Sequence, residues 1–219
     1  MLTPKRITLF CGHYGSGKTN LAVNYAFYLR SLGKEVTVAD MDIVNPYFRT
    51  ADSREELESA GINLITPEYA NSNVDLPALP AELYGLFEFT DKYVVLDIGG
   101  DDRGAYALGR FAPMILEENN FENLFVANFY RPLTQTPQDA CEVMKEIEAA
   151  GKIPFTGIVN NSNLGDETSP ETVIKTFERA NELSRLCNLP VVMTSAVTGV
   201  AEEIQTENVL PLKLQAKYY

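Results

Sequence analysis

The sequence predicts an α/β fold in three layers: a mostly parallel sheet of about seven strands with helices on both faces, forming one domain over residues 1–219. Short apolar runs alternate with amphipathic segments along the whole chain, which is the pattern of repeated strand–helix–strand units. Many of the amphipathic segments are long enough to be helices that connect parallel strands. No apolar run approaches the roughly 18 residues of a membrane-spanning helix.

The predicted strands are short runs rich in apolar residues. Because helices cover both faces of a parallel sheet, such strands are expected to be continuously apolar. The strands are predicted at residues 7–11, 36–39, 63–66, 93–96, 124–127, 155–159 and 191–193.

Periodicity and capping residues predict the first two helices. The first carries an apolar stripe at helical spacing and ends before Gly33. Its stripe consists of Leu21, Tyr25, Tyr28 and Leu32. Ser53 and Glu56 have the spacing of a capping box, which predicts a short helix that ends at Gly61.

Proline marks the helices in the second half of the chain. Residues 105–118 have a helical pattern that Pro113 should kink or divide. The pairs Thr136-Pro137 and Ser169-Pro170 each predict a capped helix start, because proline is favoured at the first helical position. The helix that begins at Pro137 is predicted to end at Gly151.

Composition excludes several classes of function. The chain is 45% hydrophobic and 22% charged, which is ordinary for a globular protein. A net charge of −12 argues against nucleic acid or an anionic membrane as the main partner. The three cysteines form no C-x-x-C pair, so neither a disulfide framework nor a zinc site is indicated. We expect a cytoplasmic protein.

The most informative segment is residues 12–19, which match the pattern G-x-x-x-x-G-K-[ST] of a phosphate-binding P-loop. Its glycines let successive backbone N–H groups point at phosphate oxygens, and the following helix directs its positive end at the same anion. Lys18 is expected to reach the β- and γ-phosphates, and the Thr19 hydroxyl to bind Mg²⁺. The predicted nucleotide-binding residues here are Gly12, His13, Tyr14, Gly15, Ser16, Gly17, Lys18, Thr19 and Asn20.

The same segment partly matches a second motif, the dinucleotide-binding fingerprint. Gly15 and Gly17 have its spacing, and Asp40 lies at a suitable distance to bind a ribose. The third fingerprint position is Asn20, however, where close packing of helix on strand requires Gly or Ala. The fingerprint also gives Lys18 no role, so the P-loop interpretation is favoured.

Three aspartates follow predicted strands and are expected near the P-loop. Asp40 and Asp42 end the second strand, and Asp97 ends the strand at 93–96. A hydrophobic strand that delivers an aspartate is the Walker B pattern, which holds Mg²⁺ directly or through water. Aspartate after a strand is also a common turn former, and the P-loop is what favours the metal-binding interpretation.

On these residues the chain resembles the MinD/ParA-like P-loop ATPases, part of a wider group that includes signal-recognition GTPases and dethiobiotin synthetase. The resemblance rests on residues 12–19, 40–45 and 94–100, and extends over residues 5–105. It implies the three-layer P-loop NTPase fold, with ATP or ADP and Mg²⁺ as ligands. Asp42 would orient the attacking water and, with Lys18, be catalytic. Asp97 would be the Walker B carboxylate.

The resemblance implies further roles and also has departures. Asp40 would support Mg²⁺ without contacting it, and Asn160 or Asn161 would contact the base. The guanine-reading motif Asn/Thr-Lys-x-Asp is missing at that point, which favours ATP over GTP. His13 replaces the second lysine that such P-loops carry for a contact across a dimer. The C-terminal segment does not have the pattern of a membrane-targeting helix.

The leading hypothesis is therefore a Mg²⁺-dependent ATPase switch that forms an ATP-dependent homodimer or acts on a protein client. A second hypothesis is a small-molecule kinase or ATP-dependent ligase, with residues 67–90 as the acceptor wall and arginines that shield the phosphoryl group. The candidate arginines are Arg103, Arg110 and Arg131. A third hypothesis is a nucleotide-binding scaffold that does not hydrolyse.

Overall fold

The computed structural model describes residues 3–42, 50–66, 81–88, 91–100 and 102–214. Within these residues the fold is built on one sheet of eight strands. The strand order is β3-β2-β4-β1-β5-β6-β7-β8, and every adjacent pair is parallel. The strands are β1 (Ile7–Cys11), β2 (Val36–Met41), β3 (Asn63–Ile65), β4 (Tyr93–Ile98), β5 (Phe121–Ala127), β6 (Gly157–Asn160), β7 (Val191–Val197) and β8 (Val209–Leu212).

Helices cover both faces of this sheet. Helices α1 and α2 pack with one core, and α3, α4, α5, α6 and α8 pack with the other. The helices are α1 (Lys18–Ser31), α2 (Arg54–Ser59), α3 (Glu82–Gly85), α4 (Asp102–Gly109), α5 (Ala112–Glu118), α6 (Pro137–Gly151), α7 (Pro170–Ile174), α8 (Phe177–Cys187) and α9 (Thr198–Ala201). Strand β1 serves both cores, because Ile7 and Leu9 face one and Phe10 faces the other.

The strand order locates the site. Strands β2, β3 and β4 lie on one side of β1, and the later strands β5 to β8 lie on the other side. Ligands of open α/β sheets bind beyond the carboxyl ends of the strands, where the order reverses in this way. The loop that follows β1 therefore occupies the expected ligand position.

The predicted fold class is confirmed, with eight strands rather than about seven. All seven predicted strands are present. The additional strand is β8, in which Pro211 interrupts the apolar run and lies opposite Ala196 of β7. Proline is tolerated in β8 because, among the described residues, it is an edge strand with β7 as its one neighbour.

Several helix predictions need correction. Ser53 makes no capping hydrogen bond, because it ends a 3₁₀ turn at 50–53 that runs directly into α2 and lacks an extended backbone. The buried stripe of α1 is completed by Leu29, whereas Leu32 is 41% exposed beyond the helix end. The helix at 105–118 is divided, as predicted, into α4 and α5.

The helix predicted after Ser169-Pro170 is also divided, which was not predicted. The Ser169 side chain caps α7, and the chain then breaks before α8 begins at Phe177. The hydroxyl of Thr176 donates to the carbonyl of Val173 at 2.6 Å, a local bond that competes with the helical pattern. Within the described residues, no helix is both long and apolar enough to cross a bilayer.

Candidate functional site

The loop between β1 and α1 has the backbone that its glycines require. Gly15 and Gly17 have φ angles of 76° and 88°, a region that other residues rarely adopt. A Cβ atom on Gly12 would lie 2.6 Å from the carbonyl oxygen of Val126 in the neighbouring strand β5. Gly17 is the cap residue of α1, so the loop ends where the N–H groups of the helix begin.

The interior of this loop surrounds one carbonyl oxygen. The buried Lys18 ammonium donates to the His13 carbonyl at 3.3 Å, and the Ser16 N–H donates to the same oxygen at 3.1 Å. The Ser16 hydroxyl is buried and has no hydrogen-bond partner. The loop thus collects donors around a small volume, which is the arrangement that binds an anion.

The other predicted loop residues lie on its rim. The His13 Nδ1 donates to the Tyr14 carbonyl at 2.9 Å, since a carbonyl oxygen only accepts. The Tyr14 ring is 54% exposed. Thr19 and Asn20 are half-buried in the first turn of α1, directly behind Lys18.

The three predicted aspartates converge beside the loop. Asp40 on β2 and Asp97 on β4 are register partners in adjacent strands, and both are almost fully buried. The N–H of Asp42 donates to the Asp40 carboxylate at 2.9 Å, which turns the chain at the end of β2. The order of the strands therefore assembles carboxylates that are 57 residues apart in sequence.

Asp97 is the least satisfied of these groups. One carboxylate oxygen accepts from the Thr50 hydroxyl at 3.0 Å, and the other is buried without a hydrogen-bond partner. Burial raises the pKa of Asp97 to about 6, while the nearby Lys18 charge and the Thr19 and Thr50 hydroxyls oppose the rise. A buried carboxylate with an unused oxygen is suited to a cation or a donor supplied by a ligand.

The segment after β4 packs directly against the loop through glycines. A Cβ atom on Gly100 would lie 2.6 Å from the Tyr14 nitrogen and 2.9 Å from the Lys18 ammonium. A Cβ atom on Gly104 in α4 would lie 2.6 Å from the Cα of Gly99. The backbone following β4 therefore touches the loop on one side and α4 on the other.

Asn160 and Asn161, predicted to contact a base, have other partners. Asn160 donates to the Thr176 hydroxyl at 2.8 Å and accepts from the Ser162 hydroxyl at 2.7 Å. Asn161 donates to the Ser16 carbonyl at 2.6 Å and accepts from the Ser195 hydroxyl at 2.8 Å. Both side chains are buried, and Asn161 supports the loop through the Ser16 carbonyl, while a contact of either residue with a base stays a prediction.

Sequence reasoning assigned Arg131 to a possible acceptor pocket and missed its contact with the loop. Its Nε donates to the Gly15 carbonyl at 3.0 Å from the exposed segment between β5 and α6. The guanidinium also lies within about 4 Å of where a Gly15 Cβ would be. Arg131 has an extended backbone immediately before the 3₁₀ turn at Pro132–Thr134, and no local sequence pattern indicates the partner of its side chain.

Some sequence predictions fall outside the described residues. These include Ile43–Asn45 of the segment on which the resemblance rests, the side chain of Arg103, and most of the proposed acceptor wall at 67–90. Among the residues that are described, no group of three or more His, Cys, Asp or Glu side chains is arranged to hold a metal ion alone. Chemically, the site combines anion-binding donors, one buried cation and adjacent buried carboxylates.

Comparison with known proteins yields matches among solved structures. No protein-family model matches the chain, and neither does any curated protein. Cell division protein FtsY from Thermotoga maritima is 18% identical with a TM-score of 0.60, over 88% of this chain and 62% of that one. Signal recognition particle receptor FtsY from Elizabethkingia anophelis, in complex with GDP, is 17% identical with a TM-score of 0.55, over 98% and 61%.

A third structure is the signal recognition particle 54 kDa protein from Aeropyrum pernix K1 in complex with GDP, 19% identical with a TM-score of 0.54, over 88% of this chain and 41% of that one. The chain thus spans less than two thirds of each of these proteins. At such low identity the similarity shows the fold, which is the three-layer P-loop NTPase fold. Membership of the MinD/ParA-like subgroup, and of the wider group that the sequence resembles, stays a prediction.

Proposed function

We propose that this protein is a Mg²⁺-dependent switch that binds and hydrolyses a nucleoside triphosphate, with ATP preferred, and acts on a protein partner. The observation that carries the proposal is the position of Asp97. Its unpartnered carboxylate oxygen is buried next to the P-loop, within the electrostatic influence of Lys18. Phosphate and Mg²⁺ together supply the anion and cation that this pair of groups needs.

The loop would hold the triphosphate. Lys18 and the Ser16 N–H now share the His13 carbonyl, and phosphate oxygens would be stronger acceptors for both. The N-terminus of α1, which begins at Lys18, adds the favourable field of its helix dipole. Binding would therefore exchange a weak internal acceptor for a charged one, without a large movement of the loop.

The carboxylates fit a magnesium site that the nucleotide completes. Mg²⁺ is commonly held by one or two carboxylates together with substrate phosphates and water. Asp97 has the unused oxygen, and the Thr19 hydroxyl follows Lys18 in the first turn of α1. Asp40, whose carboxylate accepts from the Asp42 N–H, would support the Mg²⁺ site without contacting the ion. A bound Mg²⁺ would supply charge neutralisation for the phosphates.

Hydrolysis would use Asp42 to orient a water molecule at the terminal phosphate. Asp42 is almost fully buried, and its carboxylate would lie 3.2 Å from a Cβ on Gly99. Its place at the end of β2, beside the β4 segment that contacts the loop, supports this role. Phosphoryl transfer relies on positioning and charge stabilisation, which are the contributions these residues would make.

The preference for ATP rests on a missing motif. From the last residue of β6 the chain reads Asn160-Asn161-Ser162-Asn163, without the lysine and aspartate that read guanine. The GDP bound in two of the similar structures makes the guanine nucleotide the necessary comparison. Competition between the two nucleotides for one site tests this preference directly.

Switching would operate through the segment after β4. Gly100 touches the loop, and Gly99 touches α4 through Gly104, so a shift of the loop is transmitted to α4 by backbone contacts. The exposed face of α4 carries Tyr106, which is 67% exposed and would be available to a second copy of the chain or to a client. A nucleotide-dependent dimer would then form without the second loop lysine, which His13 replaces.

The test begins with equilibrium binding of fluorescent ATP and GTP analogues, with and without Mg²⁺, followed by phosphate release. We expect Mg²⁺-dependent binding that favours ATP, and a loss of at least about 100-fold in affinity or turnover for Lys18→Ala. Lys145→Ala is the matched control, because Lys145 lies on the exposed side of α6. Equal binding by wild type and Lys18→Ala would refute the proposal.

The partner state is tested by light scattering on a sizing column with no nucleotide, with Mg²⁺-ADP and with Mg²⁺-ATP. A dimer that appears with Mg²⁺-ATP alone, and not in Lys18→Ala, would support the switch. Nucleotide binding without any change in mass would contradict nucleotide-driven self-association. A client protein would then be the remaining partner. ATP that stays bound for hours without phosphate release would instead indicate a scaffold that does not hydrolyse.

A second candidate function is a small-molecule kinase or ligase, favoured by one contact. The Arg131 guanidinium lies against the P-loop at Gly15, where a cation could neutralise a phosphoryl group in transfer. Arg110 directly follows α4 and is exposed. A screen of small acceptors for stimulated ADP release would test this, and stimulation of more than about tenfold that Arg131→Ala abolishes would favour it.

A further inference from the structure

Two cysteines from different helices lie in direct contact on the face of the sheet that carries α6. Cys141 is in the second turn of α6, and Cys187 is the last residue of α8. Their sulfur atoms are 2.9 Å apart, although 46 residues separate them in sequence. A disulfide bond is about 2.05 Å long, so closing the pair requires a movement of less than about 1 Å.

The two helices fix this contact. Gln138 in α6 donates to the Glu182 carboxylate in α8 at 3.0 Å, one turn before the cysteines. Below it, Ala140, Met144 and Leu183 belong to the same buried core. Because this hydrogen bond and the shared core hold the two helices against each other, the fold itself brings the sulfur atoms together.

We propose that Cys141 and Cys187 form a reversible dithiol–disulfide modification site that links α6 to α8. The co-reactant is a low-molecular-weight disulfide such as glutathione disulfide. The Cys187 thiolate attacks one sulfur of that disulfide, forming a mixed disulfide and releasing one glutathione thiol. The Cys141 thiolate then attacks the Cys187 sulfur and displaces the second glutathione, so two protein thiols are oxidised and one small disulfide is reduced.

Exposure decides which cysteine reacts first. Cys187 is half-buried and open to a reagent, whereas Cys141 is buried and contacts Cys187. Burial, with a contribution from the Cys141 thiol, raises the pKa of Cys187 to about 12, so little thiolate is present near neutral pH. The reaction is therefore slow and should be followed as a time course. The third cysteine, Cys11, is buried in β1 and serves as an internal negative control.

The experiment treats the folded, fully reduced protein with excess glutathione disulfide, then denatures it and alkylates the remaining thiols. We expect a product that has lost two hydrogen atoms and takes up one alkyl group, on Cys11, of the three available cysteines. Peptide mapping should join the peptide of Cys141 to that of Cys187, and dithiothreitol should restore three alkylated thiols. Cys11→Ser should still form the link.

Two variants make the outcome decisive. Cys187→Ser and Cys141→Ser should each fail to form an intramolecular link, and Cys141→Ser should stop at a glutathione adduct on Cys187. The oxidised wild type should unfold at a temperature several degrees above the reduced form, because the link closes a long loop. Three alkylated cysteines after prolonged oxidation, a persistent adduct in the wild type, or a lowered unfolding temperature would overturn the proposal.

Discussion

The ends of strands β4 and β6 differ in how their buried polar side chains are satisfied. At β4, Asp97 has one oxygen bonded to Thr50 and one oxygen without a partner. At β6, Asn160 uses both ends of its amide, on Thr176 and Ser162. Both residues are almost fully buried, and both lie towards the carboxyl ends of their parallel strands.

This difference separates a binding site from its support. A neutral amide that is hydrogen-bonded at both its oxygen and its nitrogen is stabilised by the protein itself. A buried carboxylate with an unused oxygen costs stability unless a ligand completes it. We therefore expect the ligand to bind at the carboxyl ends of β2 and β4. The carboxyl end of β6, by contrast, holds the loop in place.

The largest expected effect comes from filling the contact between the two sides of the site. In Gly100→Ala the new methyl group would meet the Tyr14 backbone at 2.6 Å and the Lys18 ammonium at 2.9 Å. We expect nucleotide affinity to fall by about 100-fold, because the backbone of the loop must shift. Gly85→Ala, with nothing within 4 Å, is the control, and equal affinity of the two variants would contradict the packing described.

Removing the charge at β4 should stabilise the protein without ligand. The folded-state pKa of Asp97, about 6, lies above its ordinary 3.8, so the folded state binds the proton more tightly. Stability therefore falls as pH rises from about 4 to about 6, and the full cost, about 2–3 kcal/mol, applies above that range. Asp97→Asn should remove this cost at pH 8 and change little at pH 4.

The measurement is chemical denaturation of wild type and Asp97→Asn across this pH range, without Mg²⁺ or nucleotide. A difference between the two proteins that does not vary with pH would show that Asp97 is not the titrating group. Adding Mg²⁺ and nucleotide should stabilise the wild type and leave Asp97→Asn nearly unaffected. That second comparison links the stability cost to ligand binding.

Substitution of Asn161, which supports the loop from the end of β6, should have a smaller effect on nucleotide binding. Asn161→Ala removes the donor to the Ser16 carbonyl and leaves the Ser195 hydroxyl without its acceptor. We expect about a tenfold loss in nucleotide affinity and a stability loss of about 1–3 kcal/mol. Asn163→Ala, in the same segment but bonded to Asn161 and Gly165, should retain affinity, and titration calorimetry distinguishes the two.

The smallest effect is expected at the exposed contact. Arg131→Ala removes the bond from Nε to the Gly15 carbonyl, in a position where solvent replaces part of the interaction. We expect about a threefold loss of affinity, which Arg131→Lys should not fully restore because lysine lacks the planar donor. A loss as large as that of Gly100→Ala would mean that Arg131 contacts the nucleotide itself.

Local pattern explains which parts of the fold were predictable. The strands flanking the site are apolar runs ended by glycine or aspartate, and a parallel sheet leaves them few alternatives. Strand β8 was missed because Pro211 in its centre ordinarily excludes a strand, and only its edge position permits it. The break between α7 and α8 depends on the Thr176 hydroxyl, whose choice of partner the sequence does not reveal.

The candidate site likewise contains residues that the sequence predicts and residues that it does not. The P-loop lies within eight residues, so its motif was readable directly, and the aspartates followed from their positions after strands. The contacts of Asn161 and Arg131 with the loop span 145 and 116 residues. No spacing rule connects such distant positions, and an asparagine after a strand is equally suited to a base or to a backbone carbonyl.

In the part of the chain that the structure describes, the two edge strands of the sheet each have a feature that discourages another strand from joining. At one border β3 has only three residues, and at the other β8 carries Pro211, which has no N–H to donate. Native proteins use short and proline-containing border strands to prevent uncontrolled polymerisation of sheets. The addition of a strand from another copy of this chain is therefore disfavoured at both edges. Fibril-like growth should be opposed even at the high concentrations that overexpression produces.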